Sequence, residues 1–386
     1  MTVRVLIVDD SGTMRRLLRL SLSREPGIEV VGEAADAAQA AQRIRDLRPD
    51  VLTLDVEMPG TSGLEFLAQL MAQRPMPVVM VSSETRAGST AAVEALSLGA
   101  VDCIGKPAGP SGTDDFARLP SVVLAAATAN LRPSGSGSGS GTGTTAERLP
   151  SPSAPVTSVH APQHPTSRPL GGNGKARSPQ PTGPRPYVWN GKIVLIGAST
   201  GGVEALERVL EVFPANGPPT LITQHMPESF LASFAQRLDN RIAPGVALAR
   251  DGEVLEQGRV YLAPGGDSHL RLAPGLHLAC QLHRGPKRSS HRPSVDELFE
   301  SAQGVAAGMV AVMLTGMGRD GAEGMLGLKR AGSYCIAQDQ ASSVVWGMPR
   351  VAAELGAVDE VLPLSRIGDA VLEQTSRGRA RQRRLG

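Results

Sequence analysis

The sequence predicts two doubly wound α/β domains, each built on a parallel sheet, with a flexible tether between them. Three observations predict this. Short apolar runs alternate with segments of three- and four-residue hydrophobic spacing from the N-terminus to about residue 130. The same alternation restarts near residue 190. Between the two lies a Gly/Ser/Pro/Thr stretch that contains "SGSGSGSGTGTT".

In the first domain, residues 1–130, "VRVLIVDD", "IEVVGEA", "VLTLDVE", "PVVMVSS" and "VDCIGKP" read as five strands. They are mostly apolar throughout, as strands covered by helices on both faces must be. "GTMRRLLRLSLSRE", "AAQAAQRIRDLRP", "GLEFLAQLMAQRP" and "TAAVEALSLG" read as the intervening helices. In the first of these, Met14, Leu17, Leu18 and Leu22 share one face. "DFARLPSVVLAAATANL" supplies a final helix. Residues 131–188 hold too little apolar area to offset their ordering entropy and are expected to be a flexible linker. The second domain, residues 189–376, opens with "KIVLIGA" (strand), "GGVEALERVLEVF" (helix), "PTLITQH" (strand) and "SFLASFAQRLDNR" (helix). Turn signals in the Gly-rich stretch that follows, from "VALARDG" to "HLACQL", predict hairpins rather than crossovers, hence a β-hairpin insertion in a Rossmann-like sheet. "SVDELFESAQGVAAG", "MVAVMLTGMG", "AEGMLGLKRAG", "SYCIAQD" and "MPRVAAELG" resume the alternation. Residues 377–386 carry five arginines and are expected to be a solvated basic tail, with contact to a phosphate or an acidic surface as the alternative.

A length of 386 residues suits two domains, and 41% hydrophobic with 20% charged residues is a globular composition. A net charge of +2 and the lack of a recognition helix argue against a nucleic-acid partner. No apolar run approaches the ~20 residues of a spanning helix, and the N-terminus is no signal peptide, so no membrane insertion is expected. Cys103, Cys280 and Cys335 match no metal or disulfide spacing, which fits a reducing, cytoplasmic setting.

Asp9 and Asp10 end the first predicted strand and Asp55 ends the third. Strand ends of a parallel sheet meet at one crevice, so three carboxylates should converge there. Such a cluster calls for a hard divalent cation such as Mg²⁺. Ser82 and Lys106 end the next two strands. A cis bond before Pro107 would aim the lysine inward. Metal, acceptor carboxylate, hydroxyl and lysine are what phosphoryl transfer to a carboxylate requires. With "VDDS", "LDVEMPG", "VSS" and "KP", this region resembles the flavodoxin-like receiver domain of bacterial response regulators. The resemblance implies that Asp55 is the phosphoacceptor. It also implies that Asp9, Asp10 and Asp55, with the carbonyl of Glu57, hold Mg²⁺, and that Ser82 and Lys106 form the switch. Cys103 stands where many receivers carry an aromatic switch residue.

In the second domain, "GASTG" fits G-x-S-x-G and places Ser199 on a strand-to-helix turn. A serine nucleophile needs a base and the base an orienting acid. Of the seven histidines, His225 alone falls at a predicted strand end, and Asp320 follows another strand. Each alone fits a cap or a rim residue. Together they offer nucleophile, base and orienter. The chain order Ser, His, Asp is not that of α/β-hydrolases. With "IGASTGG", "QHMP", "RVYLAPGG", "HRPSVDELFESA", "MLTGMGRDGAEGM" and "CIAQDQASSVVWGMP", the domain resembles the catalytic domain of CheB-type protein-glutamate methylesterases.

That resemblance implies Ser199 as nucleophile, His225 as base and Asp320 as orienter. The Met317 amide and Thr200 are then oxyanion candidates, and the esterase site needs no cofactor. It implies a monomeric, phosphorylation-activated enzyme acting on methylated cytoplasmic helices of chemoreceptors, with glutamine deamidation as a second activity and a histidine kinase as phosphoryl donor. A receiver-gated hydrolase of another ester or amide and a non-enzymatic phospho-switched scaffold are the alternatives.

Overall fold

The computed structural model describes residues 2–83, 86–107, 116–130 and 187–377. The expected linker, apart from residues 187–188, and nearly all of the expected tail lie outside them. In the N-terminal domain β1 (Val3–Val8), β2 (Ile28–Ala34), β3 (Val51–Asp55), β4 (Val78–Ser82) and β5 (Asp102–Gly105) form one parallel sheet in the order β2-β1-β3-β4-β5. Among the described residues five helices cover it: α1 (Gly12–Leu22), α2 (Ala37–Leu47), α3 (Gly63–Gln73), α4 (Arg86–Ser97) and α5 (Leu119–Ala127). Local chemistry sets their starts. Ser11 and Asp36 cap α1 and α2 through their side chains, and Ser62 with Glu65 forms a capping box on α3. Leu18 and Leu22 of the predicted α1 face are buried, whereas Leu17 remains 41% exposed.

The C-terminal domain carries a sheet of seven strands in the order β14-β13-β12-β6-β7-β9-β8, every pair parallel. The strands are β6 (Ile193–Ala198), β7 (Thr220–Gln224), β8 (Gly245–Leu248), β9 (Arg259–Leu262), β12 (Met309–Met313), β13 (Tyr334–Gln338) and β14 (Glu360–Leu362). Its helices are α6 (Gly202–Leu210), α7 (Glu228–Asp239), α8 (Val295–Ser301), α9 (Ala322–Arg330), α10 (Met348–Glu354) and α11 (Leu364–Thr375). From β6 the chain first builds outward through β7, then returns to add β12 on the other side. That reversal makes the C-terminal ends of β12, β6 and β7 the switch-point crevice where such sheets bind ligands.

The hairpin expectation holds for only part of its stretch. β10 (Ser268–Ala273) and β11 (Ala279–Arg284) pair antiparallel as a separate ribbon. β8 and β9 instead lengthen the main sheet in parallel. The loop between them is held out on β11: Gly252 N–H donates to Cys280 O (2.9 Å), and Leu255 N–H donates to Leu278 O (2.9 Å). This detour lets the chain re-enter the sheet in the same direction, which a short turn cannot do.

The two domains pack together. α4 lies against α6 and α7, and Asn130 donates from its backbone and side-chain nitrogens to Val344 O and Ala341 O, both at 3.0 Å. Leu96 and Met71 of the first domain and Leu231 and Phe234 of the second belong to one continuous apolar cluster.

Inside the second domain β6 and α8 approach closely at Gly197, where an added Cβ would stand 2.3 Å from Val295 Cγ1. Gly197→Ala is expected to destabilise the chain by about 1–3 kcal/mol, the usual range for overpacking. Thermal or denaturant unfolding checks this, and an unchanged midpoint would contradict the packing described.

Candidate active site

In the first domain the carboxylate oxygens of Asp9, Asp10 and Asp55 lie within 4.8 Å of one another. Asp9 and Asp55 are buried, whereas Asp10 is exposed. Lys106 Nζ sits 3.1 Å from Asp9 Oδ2 and 2.8 Å from Asp55 Oδ2. Burial, reinforced by the charge of Asp9, pushes the Asp55 carboxyl up to about 6, although Lys106 and the Glu57 amide pull the other way. One lysine thus faces two buried carboxylates and a third at the rim. This all-oxygen donor set with surplus negative charge fits Mg²⁺. The Glu57 amide donates to Asp55 Oδ1 at 3.3 Å, so the chain turns beside the cluster, where its carbonyl is the further oxygen expected. A bound Mg²⁺ would neutralise the surplus charge of these carboxylates.

The bond before Pro107, which could have been cis, is not: among the described residues Arg292–Pro293 is the cis peptide. Lys106 reaches inward because its amide donates to Ser82 O (2.7 Å), continuing the parallel β4–β5 ladder to that point. Ser82 is buried at the end of β4, and its hydroxyl donates to Ser83 O at 3.3 Å. Cys103 is buried in the core, where burial pushes its thiol well above the usual range.

In the second domain Ser199 follows β6 directly, and the chain reverses through Gly201 at φ +78°. A side chain at Gly201 would meet Val344 Cβ at 2.6 Å, and one at Gly202 would meet Gln224 Oε1 at 2.1 Å. The turn therefore needs both glycines. Its backbone is held from neighbouring strands. Ser199 N–H donates to Thr315 O (3.0 Å), and Ser199 O accepts from Gly202 N–H (2.7 Å) and Gln224 Nε2 (2.9 Å). Thr315 in turn donates its amide to Gln338 Oε1 (2.8 Å) and its hydroxyl to Thr200 O (3.0 Å). Gly316 lies so close that a Cβ there would stand 2.7 Å from Ser199 Cβ.

His225 follows β7, and its Nε2 bonds Asp320 Oδ2 at 2.8 Å. The carboxylate accepts, so Nε2 carries the proton. Nδ1 is buried and has no hydrogen-bond partner among the described residues. Asp320 does not cap α9, whose N-cap is Gly321. Its carboxylate turns instead to the start of α8, accepting from Val295 N–H (2.7 Å) and Ser294 Oγ (2.8 Å). Burial alone would raise its pKa. The hydrogen bond and charge of His225 and these donors override that and hold the carboxyl far below its ordinary value. Asp320 is therefore a fixed anion against the imidazole.

Met317, the expected oxyanion donor, follows Gly316, which lies against Ser199. Thr200, the other oxyanion candidate, is buried beside Ser199. Its hydroxyl donates to Asp102 Oδ2 of the first domain at 2.5 Å. Burial raises the Asp102 carboxyl, while Arg118 and Thr200, and more weakly His225, draw it down. A cavity of about 80 Å³ lies here, lined by Asp102, Asn130, Ser199, Gly201, Met226 and Val344 among others. Sequence reasoning missed Asp102, Gln224, Thr315, Gln338, Ser294 and His291, whose ring stacks on His225.

A buried carboxylate cluster in a five-stranded parallel α/β domain, packed against a second parallel α/β domain that carries Ser199, His225 and Asp320 at its strand ends, is the arrangement of a response regulator with a hydrolase-like output domain. Residues 5–113 match the response regulator receiver domain and residues 194–371 match the CheB methylesterase family. The chain is 46% identical to the protein-glutamate methylesterase/protein-glutamine glutaminase 1 of Caulobacter vibrioides, covering 97% of this chain and 98% of that protein. It is 47% identical to the corresponding protein of Agrobacterium fabrum, covering 97% of each. The crystal structure of the Thermotoga maritima CheB methylesterase catalytic domain is 39% identical, covering 48% of this chain and 100% of that one at a TM-score of 0.47. The chain belongs to the CheB family of receiver-linked protein-glutamate methylesterases/protein-glutamine glutaminases. Among the described residues no helix is long and apolar enough to cross a membrane.

Mg²⁺ at about ten times its dissociation constant is expected to stabilise the protein by ~1.4 kcal/mol. A thermal melt should show a rise of a few degrees that Asp55→Asn diminishes. An equal rise in both proteins would place the cation elsewhere.

Proposed function

We propose that the chain is a phosphorylation-activated serine esterase acting on glutamyl methyl esters of chemoreceptor cytoplasmic helices, with Ser199, His225 and Asp320 as its catalytic residues. The observation that carries the reading is the Asp320–His225 pair. With Nε2–H on Asp320, Nδ1 is the nitrogen left to take a proton. Ser199 Oγ attacks the γ-carbonyl carbon while its proton passes to His225 Nδ1, and Asp320 stabilises the imidazolium. The Met317 amide, with the turn at Thr200, faces the oxyanion. His225 then protonates the leaving methoxide, and methanol departs. A water molecule, deprotonated by the same nitrogen, hydrolyses the acyl-enzyme to glutamate and free Ser199. With an amide as substrate the leaving group is ammonia, which gives the glutaminase reaction.

Regulation rests on the Thr200–Asp102 hydrogen bond and the small cavity behind it. The receiver, unphosphorylated, occupies the space a receptor helix needs. A histidine kinase in the cytoplasm, the setting expected from the sequence, phosphorylates Asp55. Ser82 and Lys106 then re-form around the phosphoryl group, α4 shifts on α6 and α7, and the population moves toward the open enzyme.

Methanol release from methylated receptors tests both halves. Ser199→Ala is expected to abolish release, and Asp320→Asn to lower kcat by about 10²–10⁴. Undiminished release from Ser199→Ala would leave the scaffold alternative standing. A small-molecule phosphodonor should raise the rate of the wild type but not of Asp55→Asn. Asp102→Ala should raise the unphosphorylated rate several-fold; no rise would remove Asp102 from the regulatory contact.

A further inference from the structure

The segment Arg288–Ser294, between the β10–β11 ribbon and α8, reaches His225 and Asp320 together. His291 stacks on His225 with ring centroids 3.7 Å apart and planes 18° apart. A tight two-residue turn presents that ring. Arg288 N–H donates to His291 O (3.0 Å), and His291 N–H donates to Arg288 O (2.8 Å). The intervening Ser289 and Ser290 adopt φ +50° and +67°. Such a turn usually takes glycine or asparagine, and a non-glycine residue in the left-handed region costs about 1 kcal/mol or more. Strain of this kind persists where surrounding contacts impose it. Those contacts are visible. His291 Nδ1–H donates to Ser289 O at 2.6 Å, which fixes the ring and its tautomer. Three residues on, the Ser294 hydroxyl donates to Asp320 Oδ1.

We propose that His291 is a positioning residue for His225, its stacked ring holding the imidazole in the plane where Nε2 meets Asp320 and Nδ1 is left without a partner. This rests on the catalytic reading of Ser199 and His225. The charged groups acting on the pair are Asp320, and Asp102 and Arg118 of the receiver. Burial, then the charges of His225 and Arg118, push His291 down to about 3. When His225 takes the serine proton, the stacked ring stays uncharged and offers a π face to the imidazolium. A second proton on that ring would repel the first.

The test measures kcat and KM for methanol release by the full-length, phosphodonor-treated chain on methylated receptors. The proteins are wild type, His291→Ala, His291→Phe and Ser199→Ala. His291→Ala should lose ~10–100-fold in kcat with KM within about two-fold, as a misoriented base does. His291→Phe keeps a flat ring and should recover to within about five-fold of wild type. The acid limb of kcat/KM in wild type should fall with unit slope, one proton for the pair. Wild-type kcat in His291→Ala overturns the proposal. So does a His291→Phe as impaired as His291→Ala at an unchanged unfolding temperature, and so does a limb of slope two. Histidine ¹⁵N resonances of the Ser199→Ala protein, with and without His291→Ala, report the His225 ring without turnover. An unchanged His225 environment there also counts against His291. Loss of the catalytic reading shows differently, as methanol release that survives Ser199→Ala.

Discussion

The hydrogen bond between His225 Nε2 and Asp320 Oδ2 is the constraint on which the rest of the output domain depends. A buried carboxylate is costly unless its lone pairs are met. Asp320 meets that cost with the Val295 amide, the Ser294 hydroxyl and the imidazole. Those donors sit at the start of α8, so α8 must pack where β6 and α9 lie bare. Gly197, Gly321 and Gly324 give it that room. Without a fixed anion the imidazole of His225 would have no preferred tautomer.

Around this pair the strand ends supply polar side chains in place of apolar ones. Gln224 closes β7 and braces Ser199 O, while Gln338 closes β13 and braces the Thr315 amide. Both are buried, and a buried amide left unpaired would be destabilising. The turn at Ser199 is therefore rigid before any substrate arrives, as a preorganised site requires. The receiver uses the same rigidity. Asp102 bonds the hydroxyl next to Ser199 rather than a surface loop, so the two domains meet beside Ser199.

Much of this was legible in the sequence because strand periodicity and strand-end chemistry are local signals. The runs around Asp9, Asp55, Ser82 and Lys106 show a parallel sheet and one shared edge, and those around Ser199, His225 and Asp320 show a second. What was not legible depends on partners distant in sequence. β8 and β9 carry glycine turn signals that read as a hairpin, but pairing with β11 carries their loop the other way. Asp102 opens β5 rather than closing it, so a search of C-terminal strand ends passes over it. His291 lies in a stretch without periodicity, and only the left-handed turn at Ser289 and Ser290 brings its ring onto His225. The buried glutamines were the available clue: a Gln closing an apolar strand implies a polar centre beside it.

With Nε2–H on Asp320, His225 Nδ1 is left without a proton, and the tautomer of His225 is the direct check. Nitrogen NMR of the ¹⁵N-histidine-labelled full-length chain at neutral pH, assigned against His225→Gln, reads it. The expected result is a proton on Nε2, a bare Nδ1, and loss of this preference in Asp320→Asn. A His225 protonated on Nδ1, or one indifferent to Asp320→Asn, would contradict it.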